Sequence, residues 1–238
     1  MAVSLDSAFE SPQAKRTYVR KLFATIADRY DLITVLLSFG LDGRWKDHLI
    51  GLAGITGDDR VLDLACGTGD ILLRARQRAR LAVGLDVTLK MLVHAAAKVT
   101  PPPHLVAGDM QELPFPSSSF TIVTAGYGLR NVPHIERAIE EIARVLVAGG
   151  QLLSLDFNKP EHPVVRAAYL AYLTVVGSVL GFVLHRDPDT YRYIPESIRN
   201  YPGATGVARL LAERGFTEVR IVPLLGGFMT IHLARRSG

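Results

Sequence analysis

Three aspartates stand where short apolar runs of the chain end. Asp63 lies within the first run, just before a Gly-Thr-Gly turn, Asp86 closes the second, and Asp109 follows the third. Short apolar runs that alternate with helical segments are typical of buried parallel strands. Because open α/β sheets bind their ligands at the carboxyl ends of the strands, we expect these carboxylates to meet around one ligand.

The turn after Asp63 favours a cationic ligand over a pyrophosphate. Gly67, Thr68 and Gly69 open a predicted helix, where small residues let the backbone approach a ligand closely. A dinucleotide site needs a third glycine three residues after the second, and Leu72 occupies that position. The carboxylate of Asp63 would repel a pyrophosphate, whereas it would attract the amino group of an amino acid.

The other two carboxylates fit an adenosine. Asp86 follows Gly67 by 19 residues. A carboxylate at that spacing accepts hydrogen bonds from both ribose hydroxyls of a nicotinamide cofactor or of S-adenosylmethionine. Asp109 can accept a hydrogen bond from an adenine amino group, and Met110 can pack on the ring. Since the third glycine is missing, these residues predict S-adenosylmethionine as the cofactor and methyl transfer as the reaction.

The elements that hold these residues alternate along the chain. The apolar runs predict strands over 61–65, 81–85, 105–107, 120–125 and 151–155. Helical periodicity predicts helices over 71–80, 89–99, 135–147 (ended by Gly149-Gly150) and 205–214. This alternation predicts a parallel sheet with helices on both faces, and 218–223 with 227–233 predict a closing antiparallel hairpin. The predicted fold class is therefore α/β and Rossmann-like, with a seven-stranded, mostly parallel sheet.

Two helical segments lie outside this alternation. Residues 1–56 predict an N-terminal helical cap, and residues 158–203 predict a helical insertion before the hairpin. The core then comprises residues 57–157 and 204–238. We interpret 1–238 as one methyltransferase domain whose insertion binds the substrate.

The composition excludes several function classes. The net charge of +4 comes from scattered Lys and Arg residues rather than a basic stripe, so we expect no nucleic-acid partner. The single cysteine, Cys66, cannot form an internal disulfide, and the seven histidines are dispersed, so we expect no metal. The lone thiol and an N-terminus without the apolar stretch of a signal peptide predict a cytoplasmic protein.

Several motifs, in order from about residue 15 to the C-terminus, resemble the ubiquinone/menaquinone biosynthesis C-methyltransferases. They are Arg29-Tyr30-Asp31, Leu37-Ser38-Phe39-Gly40-Leu41, Trp45-Lys46, the Asp63–Asp70 loop, Leu113-Pro114-Phe115-Pro116, Gly128-Leu129-Arg130-Asn131-Val132, Asp189-Thr190-Tyr191-Arg192-Tyr193 and Glu196-Ser197-Ile198-Arg199. Enzymes of this family methylate a ring carbon of demethylmenaquinol or of a polyprenyl methoxybenzoquinol. The resemblance implies a class I methyltransferase fold and a polyprenylated quinol as substrate.

The resemblance also implies individual cofactor contacts. It implies that Thr68, Asp86, Asp109 and Met110 contact S-adenosylmethionine. The family often has a serine at the position of Gly126, whose hydroxyl contributes to the cofactor site. Here that hydroxyl is absent, and only the backbone of Gly126 can line the site.

The quinol chemistry assigns roles to three further residues. A quinol ring carbon is a weak nucleophile until the neighbouring hydroxyl loses its proton, so the enzyme must align the reactants and stabilise a phenolate. Arg130 and Asn131 follow the fourth predicted strand and can stabilise the phenolate. Arginine cannot act as the base, so we predict that a water held by Arg130, Asn131 and Tyr30 accepts the proton. The alternative for Arg130 is a structural ion pair with Asp156.

The insertion supplies the predicted substrate contacts. Tyr191 and Tyr193 either hold the quinol ring or pack within the cap, and His185 contacts substrate or solvent. The apolar stretch 164–184, which includes Val176, is long enough to span a membrane. A membrane span at this point would place strands of one sheet on opposite sides of the membrane. The stretch is therefore predicted to line an isoprenoid tunnel. Peripheral contact with the inner face of the membrane and a homo-oligomer are both compatible with this sequence.

Two other functions stay open at this point. A related small-molecule methyltransferase of secondary metabolism would share the fold and the cofactor site. A non-catalytic lipid- or partner-binding protein of the same fold is disfavoured by the intact glycine turn, Asp63, Asp86 and Arg130. The sequence does not distinguish a naphthoquinol from a benzoquinol substrate, and it does not give the isoprenoid length.

Overall fold

A seven-stranded sheet forms the centre of the computed structural model, which describes residues 5–238. Its strands are β1 (Arg60–Leu64), β2 (Leu81–Asp86), β3 (His104–Ala107), β4 (Phe120–Gly126), β5 (Leu146–Phe157), β6 (Phe216–Leu224) and β7 (Met229–Arg236). The order across the sheet is β3-β2-β1-β4-β5-β7-β6. Strands β1 to β5 pair in parallel, while β7 runs antiparallel to both β5 and β6. This arrangement confirms the predicted fold class.

Helices cover both faces and the carboxyl edge of the sheet. They are α1 (Pro12–Ile26), α2 (Tyr30–Leu37), α3 (Asp42–Ala53), α4 (Asp70–Arg76), α5 (Leu89–Ala97), α6 (Ile135–Val145), α7 (Pro163–His185), α8 (Tyr193–Arg199) and α9 (Gly203–Glu213). Short 3₁₀ turns span Asp6–Phe9, Ala27–Arg29, Leu129–Asn131 and Leu225–Gly227.

Side-chain alternation in β1 decides which way Asp63 faces. Leu62 and Leu64 are fully buried and pack in one core cluster with residues of α6 and α9. Val61 packs on the opposite face, in a cluster with Trp45 and other residues of α3 and α4. Because successive strand residues point to opposite faces, Asp63 shares the face of Val61. Its carboxylate is therefore buried beneath α3.

The glycine pair at 149–150 does not end a helix, so this part of the prediction was wrong. Helix α6 ends at Val145, and β5 begins at once with Leu146. The pairing of β5 with β4 shifts register before Gln151, and Gly149 adopts a φ of 73°. A glycine with positive φ ends helices and also permits irregularities in strands, and here β-pairing on both sides of the pair decides the outcome. Helices α4 and α5 also end earlier than predicted, at Arg76 and Ala97.

The cap and the insertion pack on each other above the carboxyl edge of the sheet. Ile26, Ile33 and Tyr191 belong to one cluster that joins α1, α2 and the segment before α8. Two glycines of α7 bring that helix against the same segment, since a Cβ on Gly177 would lie 3.0 Å from the carbonyl oxygen of Tyr191. The cap and the insertion thereby enclose space above the strand ends.

Helix α7 buries one side only. Its buried residues are Leu170, Leu173, Gly177 and Gly181. With a mean hydropathy of 2.0 it is the one helix within residues 5–238 that is long and apolar enough to cross a membrane by length and composition. Its other side leaves large apolar side chains exposed.

Candidate active site

A pocket at the strand ends collects most of the predicted cofactor residues. We call it the strand-end pocket. Its wall includes Gly67, Asp86, Asp109, Met110 and Gly126, together with Arg16, Val19, Arg20, Phe23, Tyr30, Ala65, Leu85, Val87, Thr88, Met91, Gly108, Tyr127, Gly128, Asn131, Val132 and Pro133. The strand ends thus converge as the sequence predicted.

The buried carboxylate of Asp86 stabilises the glycine turn by hydrogen bonds to the backbone. Its Oδ2 accepts a hydrogen bond from the backbone N–H of Gly67 at 2.9 Å, and its Oδ1 accepts one from Thr88 at 2.8 Å. Burial raises the pKa of Asp86. Each carboxylate oxygen has a further lone pair, so the same group can also accept hydrogen bonds from a ligand. Gly67 has a φ of 53°, which favours glycine at this turn.

Asp109 is engaged by a residue that the sequence analysis did not identify. Arg16 of α1 forms an ion pair with it, with 3.1 Å between Nη2 and Oδ2. The other oxygen of Asp109 accepts a hydrogen bond from the backbone N–H of Gln111 at 2.9 Å. Helix α1 therefore covers the adenine end of the predicted site. No local pattern relates residue 16 to residue 109, so only the packing of the cap reveals this contact.

A smaller polar pocket adjoins the first. Its wall consists of Tyr30, Lys46, Asp63, Ala65, Cys66, Thr68, Asp70, Ile71, Gly126 and Tyr127. Two predicted cofactor residues, Asp63 and Thr68, line this polar pocket rather than the strand-end pocket, and Gly126 lines both. Gly69 is in neither wall, because it precedes α4 with a φ of 86° and packs against α5.

Asp63 has one satisfied and one unsatisfied oxygen. Its Oδ1 accepts a hydrogen bond from the Thr124 hydroxyl at 2.7 Å. Its Oδ2 is buried and makes no hydrogen bond to any of residues 5–238. Burial raises the pKa of Asp63 to about 7. A buried polar atom without a partner is rare in a folded protein, so this oxygen is suited to a cationic hydrogen-bond donor.

The third space is a large apolar cavity between the cap and the insertion, with a volume of ≈ 490 Å³. Aromatic side chains dominate its wall, which includes Phe23, Tyr30, Phe39, Trp45, Tyr127, Phe157, Tyr169, Tyr172, Tyr191, Tyr193 and Phe228. Tyr30 and Tyr127 line this apolar cavity and both of the pockets. The three spaces therefore meet at these two rings.

Arg130 is the guanidinium that faces the apolar cavity. Its Nε lies 3.1 Å from Oδ1 of the fully buried Asp156, so the ion pair that the sequence offered as an alternative is present. Nη1 donates to the hydroxyl of Ser197 at 2.8 Å and to Oδ1 of Asn131 at 3.2 Å. Burial by itself would lower the pKa of Arg130, but Asp156 raises it above its ordinary value. Among residues 5–238, Nη2 makes no hydrogen bond, so two N–H groups remain for a ligand.

Of the other two predicted catalytic residues, Asn131 contacts Arg130 and Tyr30 shares the wall of the apolar cavity with it. Asn131 donates to the carbonyl oxygen of Tyr127 at 2.7 Å and lines the strand-end pocket. Tyr30 stands where the three spaces meet, and burial raises its pKa well above its ordinary value. The predicted trio is thus brought together at the boundary between the strand-end pocket and the apolar cavity.

The predicted substrate residues divide into two groups. Tyr191 and Tyr193 line the apolar cavity. His185 touches it only indirectly, through a hydrogen bond of 2.8 Å to the Tyr191 hydroxyl. Val176 is outside the wall, to which α7 contributes only Tyr169, Tyr172 and Leu173. Next to Val176, Gly177 packs against the backbone of Tyr191.

Lys15 is a second cap residue that sequence reasoning missed. Its ammonium donates to the carbonyl oxygens of Arg130 at 3.2 Å and of Val132 at 2.7 Å. Burial, and then the charge of Arg130, lower the pKa of Lys15 to about 8. Lys15 and Arg16 therefore fasten α1 to the loops that carry the catalytic and cofactor residues.

Comparison with known proteins identifies the family. A sequence model of the ubiE/COQ5 methyltransferase family matches residues 11–236. The chain belongs to this family. It is 37% identical over 234 residues to the ubiquinone/menaquinone biosynthesis C-methyltransferase UbiE of Pseudomonas paraeruginosa, covering 94% of this chain and 90% of that protein. The UbiE of Pseudomonas fluorescens is 34% identical over 237 residues, with the same coverage.

Solved structures share the fold of this methyltransferase. The magnesium protoporphyrin IX methyltransferase of Synechocystis, solved with bound S-adenosylmethionine, superposes with a TM-score of 0.64 and 17% sequence identity. That match covers 94% of this chain and 97% of the other. The family and the fold confirm the predicted enzyme class, a methyltransferase that uses S-adenosylmethionine.

The residues at the strand ends fit this cofactor. Among the described residues 5–238, the buried Oδ2 of Asp63 lacks a partner that an ammonium group would provide. Gly128 packs tightly between two loops, since a Cβ there would lie 2.9 Å from the side chain of Ala65 and 3.1 Å from that of Met110. The missing side chain at 128 therefore lets its loop lie directly against Met110 in the wall of the strand-end pocket, and the polar pocket has an acceptor for the amino group.

Proposed function

We propose that this enzyme methylates a ring carbon of a polyprenylated quinol in quinone biosynthesis. The substrate class comprises demethylmenaquinol and polyprenyl methoxybenzoquinol. The observation that carries the proposal is the apolar cavity of ≈ 490 Å³, which meets the strand-end pocket at Tyr30 and Tyr127. Such a cavity suits an aromatic ring with an isoprenoid chain, because apolar surface gains most from leaving water.

Each residue at that boundary has a defined task in the proposed reaction. Bound S-adenosylmethionine supplies an electrophilic methyl group carried by a sulfonium. Arg130 directs its free Nη2 donors at the quinol oxygen and stabilises the phenolate as its charge develops. Asn131 and Tyr30, with Arg130, hold the water that accepts the hydroxyl proton. Once the ring carbon has gained the methyl group, its hydrogen leaves as a proton and the oxygen beside Arg130 is reprotonated, which restores the aromatic quinol. The rings of Tyr30 and Tyr127 keep the quinol carbon aligned with the methyl group.

The isoprenoid tail leaves through the open side of the apolar cavity. Phe39, Tyr172 and Leu225 line the cavity and are also exposed, by 67%, 44% and 44%. Phe39 and Tyr172 stack with ring centroids 6.4 Å apart. These three residues form the mouth of the cavity, and a tail longer than the cavity passes between them.

We propose further that the mouth rests on the inner face of the membrane. Helices α2 and α7, which both line the cavity, also carry large apolar side chains that are exposed to solvent. They are Leu32, Val35, Leu36, Val175, Val179, Phe182 and Val183. Exposed apolar surface of this kind marks an interaction site, and a polyprenylated quinol dissolves in the bilayer. Peripheral contact would let the tail stay in lipid while the ring enters the cavity. The homo-oligomer stays a prediction.

A transfer assay tests the proposed reaction. The purified enzyme is incubated with methyl-labelled S-adenosylmethionine and either reduced demethylmenaquinone or reduced polyprenyl methoxybenzoquinone. We expect label in the ring of at least one quinol. Cofactor binding without methylation of either quinol would favour a methyltransferase of secondary metabolism. Failure to bind the cofactor would favour the non-catalytic alternative.

Vesicle flotation tests the membrane contact separately. The unmodified enzyme is expected to float with anionic phospholipid vesicles, and Phe182→Glu is expected to stay in solution. His48→Glu, an exposed change on α3 away from the mouth, is the matched control. If the unmodified enzyme does not float, or if both variants float equally, the proposed contact is wrong.

A further inference from the structure

Lys46 extends from the cap helix α3 into the polar pocket, where its side chain is buried. Its ammonium lies 2.5 Å from a carboxylate oxygen of Asp42 and 2.9 Å from one of Asp70. An ammonium group has three N–H donors. Two are directed at these carboxylates, and no third acceptor lies in the described part of the chain, which leaves one donor for a ligand in the pocket.

We infer that Lys46 binds the carboxylate of the amino-acid end of S-adenosylmethionine, while Asp63 binds its ammonium. This inference rests on the proposed cofactor site and deepens it. Both side chains line the same polar pocket, and that pocket joins the strand-end pocket along Tyr30, Ala65, Gly126 and Tyr127. An acid with an unpartnered buried oxygen and a lysine with a spare donor are complementary to the two charges of an α-amino acid.

A purely structural role explains Lys46 less well. Asp70 has a second cation, because Lys98 lies 2.9 Å from its other oxygen. Asp42 accepts a further hydrogen bond from the Tyr127 hydroxyl at 2.7 Å. Both carboxylates therefore have partners besides Lys46. Burying an ammonium group costs free energy. A further hydrogen bond to a bound carboxylate would offset part of that cost.

Lys98 provides a matched control. It contacts Asp70 at the same distance as Lys46 does, and it also pairs with Asp31 at 2.7 Å. Lys98 is absent from the wall of the polar pocket. Lys98→Met therefore removes one cation from Asp70 without touching the inferred carboxylate site.

The test compares two ligands by isothermal titration calorimetry on the full-length protein. S-adenosylmethionine has the carboxylate, and decarboxylated S-adenosylmethionine keeps the amine and the sulfonium but lacks it. We expect Lys46→Met to weaken binding of S-adenosylmethionine by about tenfold or more, the usual effect of losing a hydrogen bond between charged groups. Binding of the decarboxylated ligand should change less than about twofold, and Lys98→Met should leave the preference between the two ligands intact.

The unmodified protein gives an answer even if Lys46→Met does not fold. It should prefer S-adenosylmethionine to the decarboxylated ligand, and Lys46→Arg should retain part of that preference. Equal affinity of the unmodified protein for the two ligands, or equal losses for both in Lys46→Met, would overturn the assignment. Neither result affects quinol methylation, so failure of this inference is distinguishable from failure of the proposed function.

Discussion

The strand-end pocket and the apolar cavity share two tyrosine rings but are built in opposite ways. The strand-end pocket takes its carboxylates from the end of β2 and from the loop after β3, where each follows a short motif, and α1 adds Arg16 to them. The apolar cavity takes its wall from α1, α2, α7 and the loop before β7, which are distant in sequence. The carboxylates are thus encoded locally, whereas the shape of the substrate space depends on how remote helices pack.

Substitution of Arg130 should have the largest effect in this comparison, because its guanidinium is a buried charge within the apolar wall. Arg130→Ala leaves Asp156 buried without its cation, so we expect the free energy of unfolding to fall by about 3–5 kcal/mol. Turnover should fall too, while the surviving folded protein binds S-adenosylmethionine almost normally. Denaturant unfolding, calorimetry and steady-state kinetics measure the three quantities.

A double variant separates the two roles of Arg130. Arg130→Met with Asp156→Asn removes both charges, so stability should largely return while turnover stays low. If the double variant regains both, the guanidinium is structural and the proposed catalytic role is wrong.

Asp86 provides the next largest effect, on the polar side of the comparison. Asp86→Ala should weaken S-adenosylmethionine binding by about 1.5–3 kcal/mol, the worth of hydrogen bonds to a charged group. Asp109→Ala should weaken it less, since Arg16 competes for that carboxylate. Titration calorimetry of both variants decides the order. Tight binding of NAD by the unmodified protein would contradict the cofactor assignment.

The raised pKa of Asp63 predicts that cofactor affinity depends on pH. Its pKa is raised to about 7 by burial, so below that pH the free protein holds a proton that the cofactor's ammonium must displace. Affinity should therefore rise by up to about tenfold per pH unit from pH 5 to 7 and then level off. Asp63→Asn should abolish the rise. A flat profile in the unmodified protein would show that Asp63 does not meet the ammonium.

The smallest effect concerns the mouth of the apolar cavity. Tyr172→Glu places a charge where the tail leaves, and Val164→Glu places one at the start of the same helix, outside the cavity wall and outside the proposed membrane contact. In detergent micelles, Tyr172→Glu should lower kcat/KM for a long-tailed quinol by roughly fivefold, about 1 kcal/mol of lost apolar contact. A short-tailed quinol should be little affected. Equal losses on both quinols, or in both variants, would contradict the tail path.

The same contrast explains what the sequence could predict. Asp63, Asp86 and Asp109 were found because strand periodicity and glycine turns place them at one edge of the sheet. Lys15, Arg16 and Lys46 were missed as site residues because they act from cap helices on partners far along the chain.

Prediction of the insertion was limited for the same reason. The stretch 164–184 was expected to line an isoprenoid tunnel, and α7 contributes Tyr169, Tyr172 and Leu173 to the wall of the apolar cavity, whereas Val176 lies outside it. Hydropathy identified an apolar helix there, but it does not say which side of the helix meets the substrate.

One contact in the wall of the cofactor pockets affects which substitutions this site can accept during evolution. A Cβ on Gly126 would lie 2.6 Å from the Cδ1 methyl of Ile71, so the isoleucine fills the space that the family's serine would need. The two positions are therefore coupled: a serine at 126 requires the terminal methyl of Ile71 to turn away or residue 71 to become smaller. Ile71→Val removes that methyl, so we expect Gly126→Ser to cost less stability in the Ile71→Val background than in the unmodified protein.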